Sequence, residues 1–474
     1  MGKTLLCIIS ENYLYVYCVP YMGNMTKEIK LINGKMYEYN VSMAWDANHS
    51  RRHKKSMYVG KMVDGKAVRI RDVVAVKGIY EIGHLELVWK VMPDLLDMVR
   101  KAFPEDYLKI VALAMNRLIY PMPLKSVKAW VEKTYLARIV HEISPKSLSN
   151  MLGRIGSDQG KQKTIFNTLM KGKEVIAYDT SALFTYSEGI NMAEFGHNNN
   201  DVDLPMIKII LGFSRSRNEP CYIRSDPGSV SDIDTLKISQ NDVPAGTLFV
   251  MDRGFIDSGN FHAMDGKGIY FITPLRRNSQ LVDYSLGMKD YFMFRERAIR
   301  YSVVKRENFN LHLYEDILMR AYEENEYYAR ISSGKNIDFS PERAGRIAIL
   351  TNASEKSQEI FQLYKFRNEV EEAFDVFKNL LHTDTPYLRD DDTLRGYIFV
   401  SFISLIGYYR ILKLLKEKGI NKRISVKDAI LQLSKIYITD LGSKTIVAEI
   451  PKKSRELAEL LGLEPDLFPK SVPS

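Results

Sequence analysis

Residues Glu174–Phe184 read EVIAYDTSALF, an apolar, β-prone run that opens on Glu174 and carries an acid, Asp179, at its middle. Burying a lone carboxylate in such a strand is costly unless a cation or a metal compensates it. Two further strand-like runs follow at hairpin spacing, PMIKIILGFS (Pro205–Ser214) and EPCYIRSD (Glu219–Asp226). SDIDTLKISQ (Ser231–Gln240) reads as a helix and GTLFVMDRGF as a buried strand ending at a second isolated acid, Asp252. SGNFHAM (Ser258–Met264) is a short helix and GIYFITPL (Gly268–Leu275) a last strand.

Three strands, helix, strand, helix, strand is the order expected of an RNase H-like α/β domain. Around it the chain divides into six stretches. Residues 1–84 form a β-rich basic region, and 85–172 a helical region with a possible DNA-binding helix-turn-helix. The core occupies 173–275 and 346–392, interrupted by a β-rich insertion at 276–345, and 393–474 is helical. In 85–172 the expected pair is SVKAWVEKTYLARIVHEI, read as one helix, then SPKSLSNMLGRIG with Ser144 as cap and Pro145 at its first position. Lys146, Ser149, Asn150 and Arg154 would then face a groove.

Composition narrows the function class. The 474 residues are 45% hydrophobic and carry a net charge of +9, which favours a polyanionic partner. Three cysteines without a C-x-x-C spacing and eight scattered histidines argue against zinc and a disulfide framework. The first ten residues carry too short an apolar run for a signal peptide. GYIFVSFISLIGYY, after Arg395, falls short of the roughly twenty residues of a membrane helix and reads as core. The expectation is a cytoplasmic protein, nucleoid-associated when on DNA. The basic run RRHKK (Arg51–Lys55) reads either as solvated surface or as a phosphate contact.

The second key stretch is YKFRNEVEEAFDVFK (Tyr364–Lys378). Leu363, Phe366, Val370, Phe374, Phe377 and Leu381 recur at helical spacing, so one face is buried. Tyr364, Arg367, Glu371 and Lys378 fall within about 60° of one another on an ideal helix, beside that face. An intrahelical Arg367–Glu371 ion pair is the bland reading. The sharper one is that Asp179, Asp252 and Glu371 converge, an all-oxygen donor set suited to Mg²⁺ or Mn²⁺.

These residues carry a resemblance. Tyr364, Arg367, Glu371 and Lys378 match at every position the Y-x2-R-x3-E-x6-K signature of a group of DDE transposases of prokaryotic insertion sequences. YDTSALF and MDRGF resemble that family's first and second acid motifs. The resemblance covers roughly residues 174–408, interrupted by the insertion. It implies an RNase H-like catalytic core that cuts transposon ends and joins them to target DNA with two divalent ions. Asp179, Asp252 and Glu371 would be the catalytic metal ligands, and Tyr364, Arg367 and Lys378 would hold DNA phosphates. The implied partners are double-stranded DNA, as terminal inverted repeats and target, and a second copy of the chain, since two ends must be held together. A binding-only relative that has lost chemistry, and a nuclease that cuts without joining, are the alternatives.

Some relatives stack a Trp of the insertion on a flipped base. Here Trp45, Trp89 and Trp130 all precede the core, leaving Tyr291, Phe292, Phe294 and Tyr301 as insertion aromatics. Asp201, Asp203, Asp226 and Asp232 are expected in polar loops, His197 as a lone loop histidine, and Asp390–Asp392 as a helix cap.

Overall fold

A computed structural model describes residues 6–10, 13–18, 26–46, 51–68, 76–170, 174–196, 203–255, 257–306, 308–334, 340–380, 388–442 and 444–469. The chain forms two compact units, Met1–Ile79 with Thr439–Ile446, and Tyr80–Ile438 with Val447–Ser474.

The first unit is an antiparallel meander of β1 (Leu6–Ser10), β2 (Tyr13–Cys18), β3 (Thr26–Ile32), β4 (Lys35–Asp46), β5 (Arg51–Val63) and β6 (Lys66–Val68), in that spatial order. Asn33-Gly34 and Asp64-Gly65 all have positive φ. That is the two-residue turn whose twist matches flanking antiparallel strands, and it sets the β3–β4 and β5–β6 registers.

A short strand, β7 (Gly78–Glu81), leads into α1 (Gly83–Val91), α2 (Pro93–Ala102), α3 (Tyr107–Ile119), α4 (Val127–Lys133), α5 (Pro145–Ser157) and α6 (Gln159–Leu169). The single helix expected over SVKAWVEKTYLARIVHEI is not formed. α4 stops at Lys133 because Thr134 turns extended (ψ 163°), and a 3-10 turn, Tyr135–Arg138, follows. Eleven residues, 134–144, separate α4 from α5, so the tight helix-turn-helix junction is absent there. Ser144 does cap α5, accepting from the Ser147 N–H, with Pro145 at the first position. Arg154 is exposed and pairs with Asp106.

The core sheet starts with β8 (Val175–Phe184), β9 (Met206–Ser214) and β10 (Glu219–Pro227), followed by α7 (Asp232–Ser239), β11 (Leu248–Val250), α8 (Ser258–Gly266) and β12 (Tyr270–Pro274). Then come β13 (Asp290–Phe294), β14 (Arg297–Lys305), β15 (Asn310–Asp316), α9 (Ile317–Ser332) and β16 (Arg346–Thr351). All nine strands join one sheet, ordered β10-β9-β8-β11-β12-β16-β15-β14-β13. β8, β11 and β12 run parallel, and the other pairings are antiparallel. The strands between the second Asp and the Glu thus lengthen the core sheet. The run FNLHLYEDILM is not all strand: Asp316 caps α9, accepting from the N–H groups of Leu318 and Met319, so Ile317 onward is helical.

Against this sheet pack α10 (Ser357–Phe366) and α11 (Asn368–Asp375), a π turn (Val376–Leu380), and α12 (Asp391–Glu417). α10 buries Ile360, Phe361 and Leu363 on Val250, Ile272, Tyr314 and Ile349. α12 is long and apolar enough by length and composition to cross a membrane, but its apolar window is largely buried within the fold. It extends further than the fourteen-residue apolar run because Asp390 caps it, accepting from the Thr393 N–H. α12 crosses α5 backbone to backbone. A Cβ on Gly156 would lie 1.8 Å from the Asp392 carbonyl oxygen, and one on Gly396 would lie 2.0 Å from that of Leu152. The chain ends with α13 (Val426–Leu433), two short strands, and α14 (Lys452–Leu460).

Candidate active site

Strand register brings the first two acids together. β8 and β11 pair in parallel as Val175↔Leu248, Ile176↔Phe249 and Ala177↔Val250. Asp179 and Asp252 each come two residues beyond the last matched pair, so they stand level, Asp252 just past the end of β11 and Asp179 midway along β8, which runs on to Phe184. Side chains alternate along β8. Tyr178 bonds to Ser239 (2.8 Å) and Thr180 to Asp232 (2.9 Å), both on α7. Asp179 and Ser181 point the other way, toward the segment carrying Arg367 and Lys378.

That segment is not one continuous helix. It tightens at Arg367, where the Arg367 N–H bonds to the Tyr364 carbonyl and the Val370 N–H to the Arg367 carbonyl (both 3.1 Å). It then widens into the π turn. The two irregularities redirect the expected line of four residues. Arg367 and Glu371 keep their i,i+4 pair, Nη2 to Oε1 at 2.8 Å, so the ion pair read from the spacing is present. Arg367 also holds Nη1 3.9 Å from Asp179 Oδ2 with its side chain only 16% exposed. Lys378 instead donates to Ser181 Oγ (2.7 Å) and the Ala182 carbonyl (2.5 Å) farther along β8.

Electrostatics tie the five remaining residues into one site. Burial pushes the Asp179 carboxyl up to about 7; the Thr180 N–H (2.9 Å) and Arg367 oppose this, while the charges of Asp252 and Glu371 add to it. Burial acts against charge on Arg367, but Asp252, Glu371, Asp179 and Tyr364 together outweigh it and strengthen its hold on its proton. The Tyr364 phenol is raised, chiefly by burial. Arg367 is therefore the hub on which Asp179, Asp252, Glu371 and Tyr364 converge. Glu371 is half exposed and leaves the site open to solvent on the helix side.

Among the described residues no group of three or more His, Cys, Asp or Glu is gathered so that it could hold a metal ion. The chemistry of the donors nevertheless fits a hard divalent cation: three carboxylates, with neither Cys nor His among them.

Sequence reasoning passed over Asp232 and Lys208. Asp232 Oδ1 accepts from Thr180 Oγ1 and from Lys208 Nζ, each at 2.9 Å, which fixes the residue following Asp179. The signal was there in PMIKIILGFS, where Lys208 is a lone cation in an apolar strand just as Asp179 is a lone acid. A cleft of about 420 Å³ beside β8 is lined by Thr180, Ser181, Lys208, Ser229, Asp232 and Lys378. Asp226 is likewise no solvated loop acid. It is buried on β10 against Arg224 (2.6 and 2.8 Å), and burial raises its carboxyl. Asp203 is exposed, and Asp201 and His197 lie outside the described residues. Of the insertion aromatics, Phe292 is buried on Phe361 and Phe294 packs on the same ring. Tyr301 is half-buried beside Tyr314, and Tyr291 is 72% exposed on β13.

The sheet is mixed α/β, with Asp179 midway along β8 and Asp252 just beyond the carboxyl end of the adjacent parallel β11, the end at which open α/β sheets bind their ligands. A family model described as the transposase DDE domain matches residues 170–406, half of the 474 residues, and the chain belongs to that family. No curated protein matches the sequence. A solved structure, the cryo-EM piggyBac transposase synaptic complex with hairpin DNA, is similar at 12% identity and a TM-score of 0.37. That likeness covers 82% of this chain and 86% of the other, and is too loose to carry roles or partners across.

Proposed function

We propose that the protein is a DNA transposase of the Y-R-E-K group of prokaryotic insertion sequences, cutting the ends of its own element and joining them to target DNA. The observation that carries this reading is the convergence of Asp179, Asp252 and Glu371 on Arg367 in a chain of the transposase DDE family. The strand order β10-β9-β8-β11-β12, with β8, β11 and β12 parallel, supports reading the core as RNase H-like.

Asp179, Asp252 and Glu371 would hold Mg²⁺ or Mn²⁺, two ions in the full site. Bound there, the ions would supply Lewis acidity at the scissile phosphate and an activated water or 3′-hydroxyl for in-line displacement. The chain's own residues do the rest. Arg367 balances the clustered acids and, with Tyr364, orients a phosphate oxygen beside them. Lys378, anchored at the end of β8, neutralises a neighbouring phosphate. The Lys208–Asp232–Thr180 chain keeps the Asp179 carboxyl aimed at the site. The partners are double-stranded DNA and, in the active complex, a second copy of the chain, working in the cytoplasm on nucleoid DNA.

The test is cleavage of a labelled duplex carrying the element's own ends, with Mg²⁺, Mn²⁺ or EDTA. Metal-dependent nicking at the end and joining to a second duplex, both lost in Glu371→Gln, is the expected result. Nicking without joining would leave a nuclease, and binding without cutting under any metal would leave a binding protein.

A further inference from the structure

The two units differ sharply in charge. Met1–Ile79 with Thr439–Ile446 hold fourteen Lys and Arg against seven Asp and Glu, or +7 of the chain's +9. The other unit has fifty-three against fifty-one, or +2. A polyanion meets most of its net attraction on the smaller unit.

Within that unit the charge is concentrated on one structural feature. β4 and β5 pair from Tyr37↔Lys61 to Asp46↔Arg51. β3 accompanies β4 only as far as Thr26↔Val41, and β6 pairs only with Lys61–Val63 of β5. Among the described residues, Ser42–Asp46 and Arg51–Lys55 therefore pair with each other alone, a two-stranded arm of five residue pairs, about 17 Å long. Every residue from Arg51 to Tyr58 is exposed. Because strand side chains alternate, Arg51, His53 and Lys55 occupy one face and Arg52 and Lys54 the other. Lys54 Nζ lies 2.6 Å from Oε2 of the fully buried Glu28, fastening the base of the arm to β3. Met43, on the partner strand, is 57% exposed, and an isolated two-stranded ribbon is marginal in water.

We infer that this arm, through Arg51, Arg52 and Lys55, is a sequence-independent docking element for duplex DNA, gripping its phosphates. The inference rests on the DNA reading above for the identity of the polyanion. A two-stranded ribbon has the cross-section that a major groove admits, and cations on both faces can reach the backbones on either side of it. Clustered carboxylates repel a phosphate backbone, so a DNA-handling chain needs phosphate contacts besides its acids.

The experiment is fluorescence anisotropy of a labelled random-sequence duplex with the full chain in EDTA, titrated between ~50 and ~200 mM salt. Arg51→Ala/Arg52→Ala/Lys55→Ala should weaken binding roughly tenfold or more and flatten the log–log salt slope by about 2.7, at about 0.9 per phosphate contact. Arg51→Lys/Arg52→Lys should keep the wild-type slope. An unchanged slope in the triple alanine variant overturns the inference, including the case where the charges serve only to keep an exposed strand edge from aggregating. That failure is separable from failure of the transposase reading. A triple variant with wild-type binding that still nicks in Mn²⁺ removes the arm alone. A wild-type chain that binds with the steep slope but never nicks keeps the arm and removes the enzyme.

Discussion

The two units use positive charge in opposite ways. On the β4–β5 arm, Arg51, Arg52 and Lys55 are exposed on a ribbon with little to bury. In the larger unit the important cations are covered and paired: Arg367 among three acids, and Arg410, only 10% exposed, between Glu219 and Asp94. An exposed cation attracts a distant polyanion but contributes little to folding, because water screens it. A covered one is bound into the fold, and its removal strands the acids around it.

Substitutions can break or sharpen that contrast. The largest effect belongs to the acids around Arg367. Asp179→Asn, Asp252→Asn or Glu371→Gln should each lower end nicking by at least about a thousandfold, ~4 kcal/mol of transition-state stabilisation. Duplex binding in EDTA should survive, because it is not assigned to these acids. Cleavage retained in any one of them would take that residue out of the site.

Next comes Arg410→Ala, which leaves the buried Glu219 without the guanidinium 2.8 Å away. Urea unfolding should report a loss of about 3 kcal/mol. A near-neutral result would show that Arg217, also 2.8 Å from Glu219, can take over.

Gly156→Ala tests packing without charge. Its Cβ would run into the backbone of α12, so α5 must shift, at a cost of about 2 kcal/mol. A variant as stable as wild type would mean the crossing is looser than described.

A smaller effect follows from Asp179. Its carboxyl titrates at about 7 in the fold and near ~4 in the unfolded chain. Between those values the folded state holds a proton that the unfolded state has lost. Native stability should therefore decline as pH rises from 4 toward 7 and level off above it, by something on the order of 1 kcal/mol. Asp179→Asn should flatten that decline in urea titrations with EDTA. An unaltered pH profile would place the titration elsewhere.

The smallest stability change is expected on the arm. Arg51→Ala and Arg52→Ala should stay within about 0.5 kcal/mol of wild type while affecting DNA binding. A large destabilisation would make the arm a structural element and erase the contrast between the units.

Much of this molecule was legible before folding was considered. The runs at 174–184, 205–214, 219–226 and 268–275 form strands where their apolar, β-prone composition places them, while the strand expected to end at Asp252 stops at Val250 and Arg253–Phe255 form a 3-10 turn. Asp179 and Asp252 stood out because each interrupts such a run. The extent of helix at 126–143 was not legible, because the backbone break at Thr134 leaves no gap in the apolar pattern.

By itself, the sequence determined the order of strands and helices in the core from 174 to 275, the surplus of charge near its start, and the spacing of Tyr364, Arg367, Glu371 and Lys378. Tertiary structure alone decided that Asp179, midway along β8, stands level with Asp252 just past the end of β11. It also decided that Arg367 reaches Asp179 while Lys378 turns to Ser181, that Asp232 and Lys208 brace Thr180, and that Gly156 and Gly396 let two helices touch. Periodicity and capping are written within a few residues of where they act. A strand register, or a partner some fifty residues away along the chain, is set by the packing of the whole unit.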